Sequence, residues 1–378
     1  MHAPETNVTD PHALLEQHRR DIEALDRRIL HLVCERLELA RQVGDLKRDL
    51  AGPLRNFKVE AQVYRRFEDA SSLLGLDTGL GRDLARFLIE KAVEEQATLR
   101  DAVYAGDALD TVVIGGKGGM GRWICRLLAG QGHRVRVIDP STGETPFEEA
   151  ESLDRAVDAD LIMVAVPMSV CPEILDSLAS LGPRGVVAEM CSLKGHLAPT
   201  IERLRSAGVR VISFHPMFGP DVRMLEGRTV AFCSDAPRAD LEVVEGLFAD
   251  TSARLVEMDP AEHDRRMGLV LGLTHLANLV FARALAHSSL TASELAEVAG
   301  VTFTRQLDTT SEVATENPGL YFEIQALNAV TPETGRWLRQ ALDEWLGVVE
   351  AGDSSAFTDL MTSCRDYLEG ASTEHTPS

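Results

Sequence analysis

Residues 112–139 read Val112-Val113-Ile114-Gly115-Gly116-Lys117-Gly118-Gly119-Met120-Gly121, then a helix-like run, then Val135-Arg136-Val137-Ile138-Asp139. A β-branched apolar run enters a glycine turn in which Gly116, Gly118 and Gly121 keep G-x-G-x-x-G spacing. A helix follows, and a second strand ends on an acid 18 residues after Gly121. That order of strand, turn, helix and strand is a dinucleotide fingerprint in its proper context, and it makes the middle of the chain an α/β Rossmann domain.

Each part has a physical job. Gly116 is expected to permit the tight turn, Gly118 to let backbone N–H groups approach a pyrophosphate, and Gly121 to allow close helix-to-strand packing, while the helix N-terminus favours the anion. Asp139 would accept from a ribose 2′-hydroxyl and repel a 2′-phosphate, which favours NAD over NADP; Arg134 and Arg136 nearby weigh the other way. The buried run Asp160-Leu161-Ile162-Met163-Val164-Ala165-Val166-Pro167 reads as another strand ending at a cofactor-side loop, so Met120, Val166 and Pro167 join the expected cofactor contacts.

At 378 residues, 44% of them hydrophobic, the chain is long enough for two or three domains, each with its own core. A formal charge of −21 argues against nucleic acid and against an anionic membrane surface, and leaves the binding of anionic small molecules to local clusters of Arg and Lys. The six cysteines are scattered without a C-x-x-C pair, so they read as reduced thiols, and no metal-ligating cluster is expected. Neither a signal peptide nor a membrane-length apolar run is read, which implies a cytoplasmic protein.

Upstream of the Rossmann domain, residues 10–104 form an all-α unit. From Pro11 to about Asp49, Leu15, Ile22, Leu25, Ile29, Leu32, Val33, Leu37, Leu39, Ala40 and Val43 recur at helical spacing, which predicts one helix nearly forty residues long and a dimer element. Gly52-Pro53 breaks it. A second helix is expected over about 58–74, a turn over 75–81, and a third helix over 82–103. Beyond the Rossmann domain (109–258), the region 259–370 is again helical, and 371–378 reads as a tail.

Arg19 with Ile22-Glu23-Ala24-Leu25-Asp26, then Glu35-Arg36-Leu37-Glu38-Leu39-Ala40, then Val43-Gly44-Asp45-Leu46-Lys47, and later Glu60 and Gln96, resemble the all-helical chorismate mutases. The run Phe214-His215-Pro216-Met217-Phe218-Gly219-Pro220 resembles the prephenate dehydrogenases, and the whole chain resembles the fused chorismate mutase and prephenate dehydrogenase of the bacterial T-protein family. The resemblance implies a mutase built by two interlocked chains. Arg36 and the partner chain's Arg19 would clamp the substrate carboxylates, Lys47 and Gln96 would donate to the breaking ether oxygen, and Glu60 would meet the ring hydroxyl. The sequence departs from that pattern at Val59, Asn56 and Ala92, where the family usually has arginine, aspartate and serine.

For the dehydrogenase half the resemblance implies that His215 accepts the hydrogen bond of the substrate's C4 hydroxyl as hydride leaves that carbon and carbon dioxide is lost. Neutral imidazole suits that role. Ser192 would be a second contact to the hydroxyl, and Lys194 would face the substrate or stabilise its loop. Glu262-His263-Asp264 resembles the start of the family's helical dimerisation domain; His263 is expected to be structural, and His275 to be a substrate contact or core filler. The family's carboxylate-binding arginine is Glu312 here, and Arg305, seven residues earlier, is the expected substitute on the same helical face.

The implied function is a homodimeric bifunctional enzyme that rearranges chorismate to prephenate and oxidises prephenate with NAD to 4-hydroxyphenylpyruvate. Two alternatives stay open. The departures fit the 4-amino-4-deoxy analogues of both substrates, whose ring ammonium Glu312 would favour; or the helical segment serves only as a dimerisation or regulatory module.

Overall fold

The computed structural model describes residues 11–49, 57–101 and 104–370, without the side chains at 11, 45, 47–49, 57–58 and 94–101. Three helices come first: α1 (Pro11–Asp49), α2 (Phe57–Leu73) and α3 (Thr78–Asp101). Val63 of α2 is buried against Ala85, Ile89 and Val93 of α3. The turn expected over 75–81 is shorter than it reads. A Cβ at Gly81 would lie 2.6 Å from the Phe67 carbonyl oxygen, so this glycine sits inside α3 and allows close approach of α2. Along α1, Leu15, Ile22, Leu25, Ile29, Leu32, Leu39 and Val43 are exposed, an apolar stripe that one chain does not cover.

An eight-stranded sheet of order β3-β2-β1-β4-β5-β6-β7-β8 follows. Its strands are β1 (Asp110–Ile114), β2 (Arg134–Ile138), β3 (Glu148–Glu149), β4 (Leu161–Val164), β5 (Val186–Glu189), β6 (Arg210–Pro216), β7 (Thr229–Phe232) and β8 (Arg254–Glu257). All neighbours are parallel except β6 and β7, and the apolar strands are buried from both faces by the crossover helices α4 (Gly119–Gly130), α5 (Cys171–Leu181), α6 (Ala198–Ser206) and α7 (Arg238–Ala249). β7 and β8 lie beyond the strands the sequence reading placed.

The helical C-terminal part opens on a continuous helix, Pro260–Leu285: α8 (Pro260–Met267), a π-helical turn (Gly268–Leu273) and α9 (Thr274–Leu285). Asp259 caps it, its carboxylate accepting from the Ala261 and Glu262 N–H groups. By length and composition alone this helix could cross a membrane, which corrects the expectation that no run reaches that length; here it carries site residues against the sheet. Then come α10 (Ala292–Ala296), α11 (Val301–Thr315), α12 (Pro318–Leu327), α13 (Thr331–Ala351) and α14 (Ser354–Leu368).

Candidate active site

The glycine turn is built as expected with one change of role. The left-handed residue is Gly115, φ +83°, rather than Gly116, and a Cβ there would lie 2.4 Å from the Ala165 carbonyl oxygen. Gly116 instead makes room for Val137, whose Cγ1 would be 2.6 Å from a Cβ. At Gly121 a Cβ would fall 1.9 Å from the Gly115 carbonyl oxygen, so α4 packs directly on the turn. Gly118 and Gly119 are exposed at the start of α4, which leaves the first N–H groups of that helix open to a pyrophosphate. Met120 packs on the core, and Val166 abuts Gly115.

At the end of β2, Asp139 accepts from the Lys117 and Ser141 N–H groups, both at 2.9 Å. Burial pushes its carboxyl up, but the hydrogen bonds from Ser141 and Lys117 and the Lys117 charge outweigh it and hold the group below the usual range. It is therefore an anion with lone pairs left for a ribose diol. Arg134 is paired with Glu148, and Arg136 with Asp110 and the Arg155 carbonyl. Arg136 is committed to these partners and largely buried, which weakens the case for a 2′-phosphate.

β5 and β6 run parallel with Glu189 beside Ser213, so the residues that follow, Ser192 and His215, arrive at one end of the sheet. His215 is held within β6 itself, in register with Ala231 of the antiparallel β7, and is 5% exposed. Its Nδ1 lies 3.0 Å from His263 Nε2, and His263 Nδ1 lies 2.9 Å from Asp264 Oδ1. Asp264 also accepts from the N–H groups of Lys194 at 2.8 Å and Gly195 at 2.6 Å. Burial raises its carboxyl, yet the His263 hydrogen bond and the two backbone N–H groups prevail and keep it anionic.

The direction of this line follows from the inventory of donors. An anionic carboxylate only accepts, so His263 carries its proton on Nδ1 and offers a lone pair at Nε2. His215 then donates from Nδ1, and its Nε2 is the basic nitrogen. Burial first, then the Lys194 ammonium and the neighbouring His263 ring, hold the His215 imidazolium far below its ordinary range, so the ring is neutral.

Lys194 does not face a ligand. It is 1% exposed, and its Nζ donates to Glu189 Oε1 at 2.9 Å and to the Phe214 carbonyl at 2.7 Å. Of its two expected roles, stabilising the loop is the one the geometry supports. Glu189 additionally accepts from the Ser213 hydroxyl and the Cys191 N–H. Among the described residues, Cys171, Glu189 and Cys191 bring three metal-ligating atoms within 4.8 Å, but the carboxylate is already committed to an ammonium.

On the C-terminal helices, His275 stacks on Tyr321 with centroids 4.1 Å apart, and its buried Nδ1 makes no hydrogen bond. Burial lowers its basicity. Arg305 and Glu312 are both exposed on α11, off the seam where Phe303 and Thr310 meet Phe281 and Asn278 of α9.

In the helical N-terminal part, Arg36 donates to the Leu88 carbonyl at 2.7 Å. Burial, then the Arg66 guanidinium, press its pKa down. Arg66 stands seven residues after Val59 on α2, so a cation the sequence reading missed approaches Arg36 two turns beyond the position where an arginine is absent. Arg19 is exposed and paired with Glu16; 17 residues of helix put it about 26 Å from Arg36, too far to share a substrate within one chain. Glu60 is half-buried on α2, while Asn56 and the side chains of Lys47 and Gln96 lie outside the described residues.

His263, expected to be structural, stands between His215 and Asp264, a link that the sequence did not show. The visible signal was an acid directly after a histidine, in the first turns of a helix capped by Asp-Pro. Spacing alone did not show that this helix lies across the end of β6.

Three family models match in succession: chorismate mutase type II over residues 18–97, the nucleotide-binding domain of prephenate dehydrogenase over 139–257, and its dimerization domain over 259–363. The chain is 25% identical over 340 residues to the T-protein of Enterobacter agglomerans, covering 90% of this chain and 89% of that one. It is 32% identical over 278 residues to 4-amino-4-deoxyprephenate dehydrogenase of Streptomyces pristinaespiralis, covering 68% and 90%. Among solved structures, prephenate dehydrogenase of Aquifex aeolicus with hydroxyphenyl propionate and NAD+ shares the fold, with a TM-score of 0.58 at 18% identity over 71% of this chain and all of the other.

Proposed function

The chain belongs to the prephenate dehydrogenase family, in the bifunctional form that carries a type II chorismate mutase domain ahead of the dehydrogenase, and from this we propose that it converts chorismate to prephenate and prephenate to 4-hydroxyphenylpyruvate for tyrosine biosynthesis. The observation that carries the dehydrogenase reading is the line Asp264, His263, His215, which ends on an unprotonated Nε2 at the same end of the sheet as the glycine turn.

Gly118, Gly121 and Asp139 would hold NAD, which accepts a hydride when bound. His215 Nε2 accepts the hydrogen bond of the C4 hydroxyl, so charge developing on that oxygen as the C4–H bond breaks is drawn toward the imidazole. His263 and Asp264 stabilise the imidazolium character that results, and Ser192 makes a second contact to the hydroxyl. The carboxylate at C1 leaves as carbon dioxide, and its bonding pair completes the aromatic ring.

In the mutase half, Arg36, Glu60, Lys47 and Gln96 of one chain, with Arg19 of a second, hold chorismate in its reactive conformation. The distance between Arg19 and Arg36 and the bare stripe on α1 support a homodimer that builds each mutase site from both chains, working in the cytoplasm. The relative that shares 32% identity supports a second reading, in which the ring bears an amine and Glu312 favours the ammonium. The deciding experiment follows NADH absorbance with prephenate and with 4-amino-4-deoxyprephenate at matched NAD. Higher kcat/KM for prephenate supports the first reading; preference for the amine overturns it, and turnover of neither overturns both.

A further inference from the structure

The loop after β4 is held from two directions by residues outside it. Glu323 of α12 accepts the Met168 N–H at 3.0 Å through Oε2 and the Ser169 hydroxyl through Oε1. On the other side of the same residue, His196 Nε2 lies 3.1 Å from the Met168 carbonyl, to which it donates. Met168 is 2% exposed. Its loop begins at Ala165 and Val166, the residues that crowd Gly115 of the glycine turn.

We propose that Glu323 and His196 are positioning residues for NAD: together they clamp the Met168 backbone and so set Val166 and Pro167 against the cofactor turn. The inference rests on the NAD-dependent reading above and adds a coupling to it. His196 comes from the loop that bears Ser192 and Lys194, and α12 bears Tyr321 against His275. Through the clamp, the helix on the substrate side and the loop on the cofactor side are fixed to one peptide. Ordering either one lowers the cost of ordering the other, so each ligand binds more tightly in the presence of its companion.

The test titrates the full chain with NAD, with and without 4-hydroxyphenylpyruvate, in wild type, Glu323→Gln, Glu323→Ala and His196→Gln, with circular dichroism to establish folding. Glu323→Gln retains one acceptor and should weaken NAD by roughly 3- to 10-fold, and Glu323→Ala by about tenfold or more. In each variant the KM for NAD should rise more than kcat falls, and the tightening of NAD by 4-hydroxyphenylpyruvate should shrink. His196→Gln, which keeps a donor, should fall between wild type and Glu323→Ala. Unchanged NAD affinity and unchanged coupling in folded Glu323→Gln and His196→Gln overturn the proposal, even if the alanine variant does not fold. A wild type that fails to bind NAD instead overturns the cofactor reading beneath it.

Discussion

At the scale of single residues, the site depends on which nitrogen of His215 holds the proton. Asp264 fixes that at two bonds' remove. In Asp264→Asn the amide can donate to His263 Nδ1, which moves the His263 proton to Nε2 and reverses the line, leaving His215 with a proton where its lone pair should be. We expect kcat to fall roughly 100- to 1,000-fold with the fold retained, measured as NADH formation beside a thermal melt. The buried neutral ring also gives stability a pH dependence. Its folded pKa lies below the ordinary 6.5, so as pH falls through that value the unfolded chain takes the proton first. The stability held above about pH 6.5 is lost below it, and denaturant midpoints at about pH 7.5 and pH 5.5 should differ more for wild type than for His215→Gln. Lys194 belongs to the same scale. Removing it strands Glu189 as an unpaired buried charge, so Lys194→Met should cost roughly 3–5 kcal/mol in urea unfolding.

Among the elements, the helix that crosses the sheet deserves its irregular turn. His263 and His275 are twelve residues apart, which at about 100° per residue would leave them about 120° apart around an unbroken α-helix. The π-helical turn at Gly268–Leu273 takes up about one extra residue, which reduces the offset to about 20° and puts both histidines on nearly one face. Inserting an alanine after the exposed Val270 adds about 100° of winding and should swing His275 off that face. We expect the KM for prephenate to rise at least about tenfold while NAD binding, tested by titration, is retained. Nothing in the one-dimensional pattern announces this turn, since Gly268-Leu269-Val270-Leu271-Gly272-Leu273 reads equally well as α-helix. By contrast, α1 was legible from end to end, because its apolar spacing persists from Leu15 to Val43. β1, its glycine turn and β2 were legible because their residue types are each required by the backbone. Which glycine takes the left-handed angle was not, because Gly115 and Gly116 are adjacent and only the path of Ala165 decides between them.

For the whole molecule, the long helix poses a geometric demand that one chain does not meet. In the proposed mutase site Arg19 and Arg36 serve one substrate from different chains, so two crippled proteins should rescue each other. Mixing Arg19→Ala with Arg36→Ala after joint refolding gives mixed dimers in about half the population, and one of the two mutase sites in each is intact by symmetry. Recovery of roughly a quarter of wild-type chorismate turnover from two inactive parents is expected, and no recovery would place both arginines in one chain's site. The departures at Val59 and Glu312 were legible as departures. Their consequence was not, because Arg66 reaches the neighbourhood of Arg36 only through the packing of α2 and α3, and α11 presents Arg305 and Glu312 outward. The placement of His215 inside β6, rather than on a loop after it, has a mechanical consequence. His215 pairs with Ala231 of the antiparallel β7, beyond the last β5 pairing at Ser213, and is 5% exposed, in a part of the fold with little room to breathe. On the proposed reading, any movement that encloses the substrate therefore belongs to the helices, and His215 is its stationary proton acceptor.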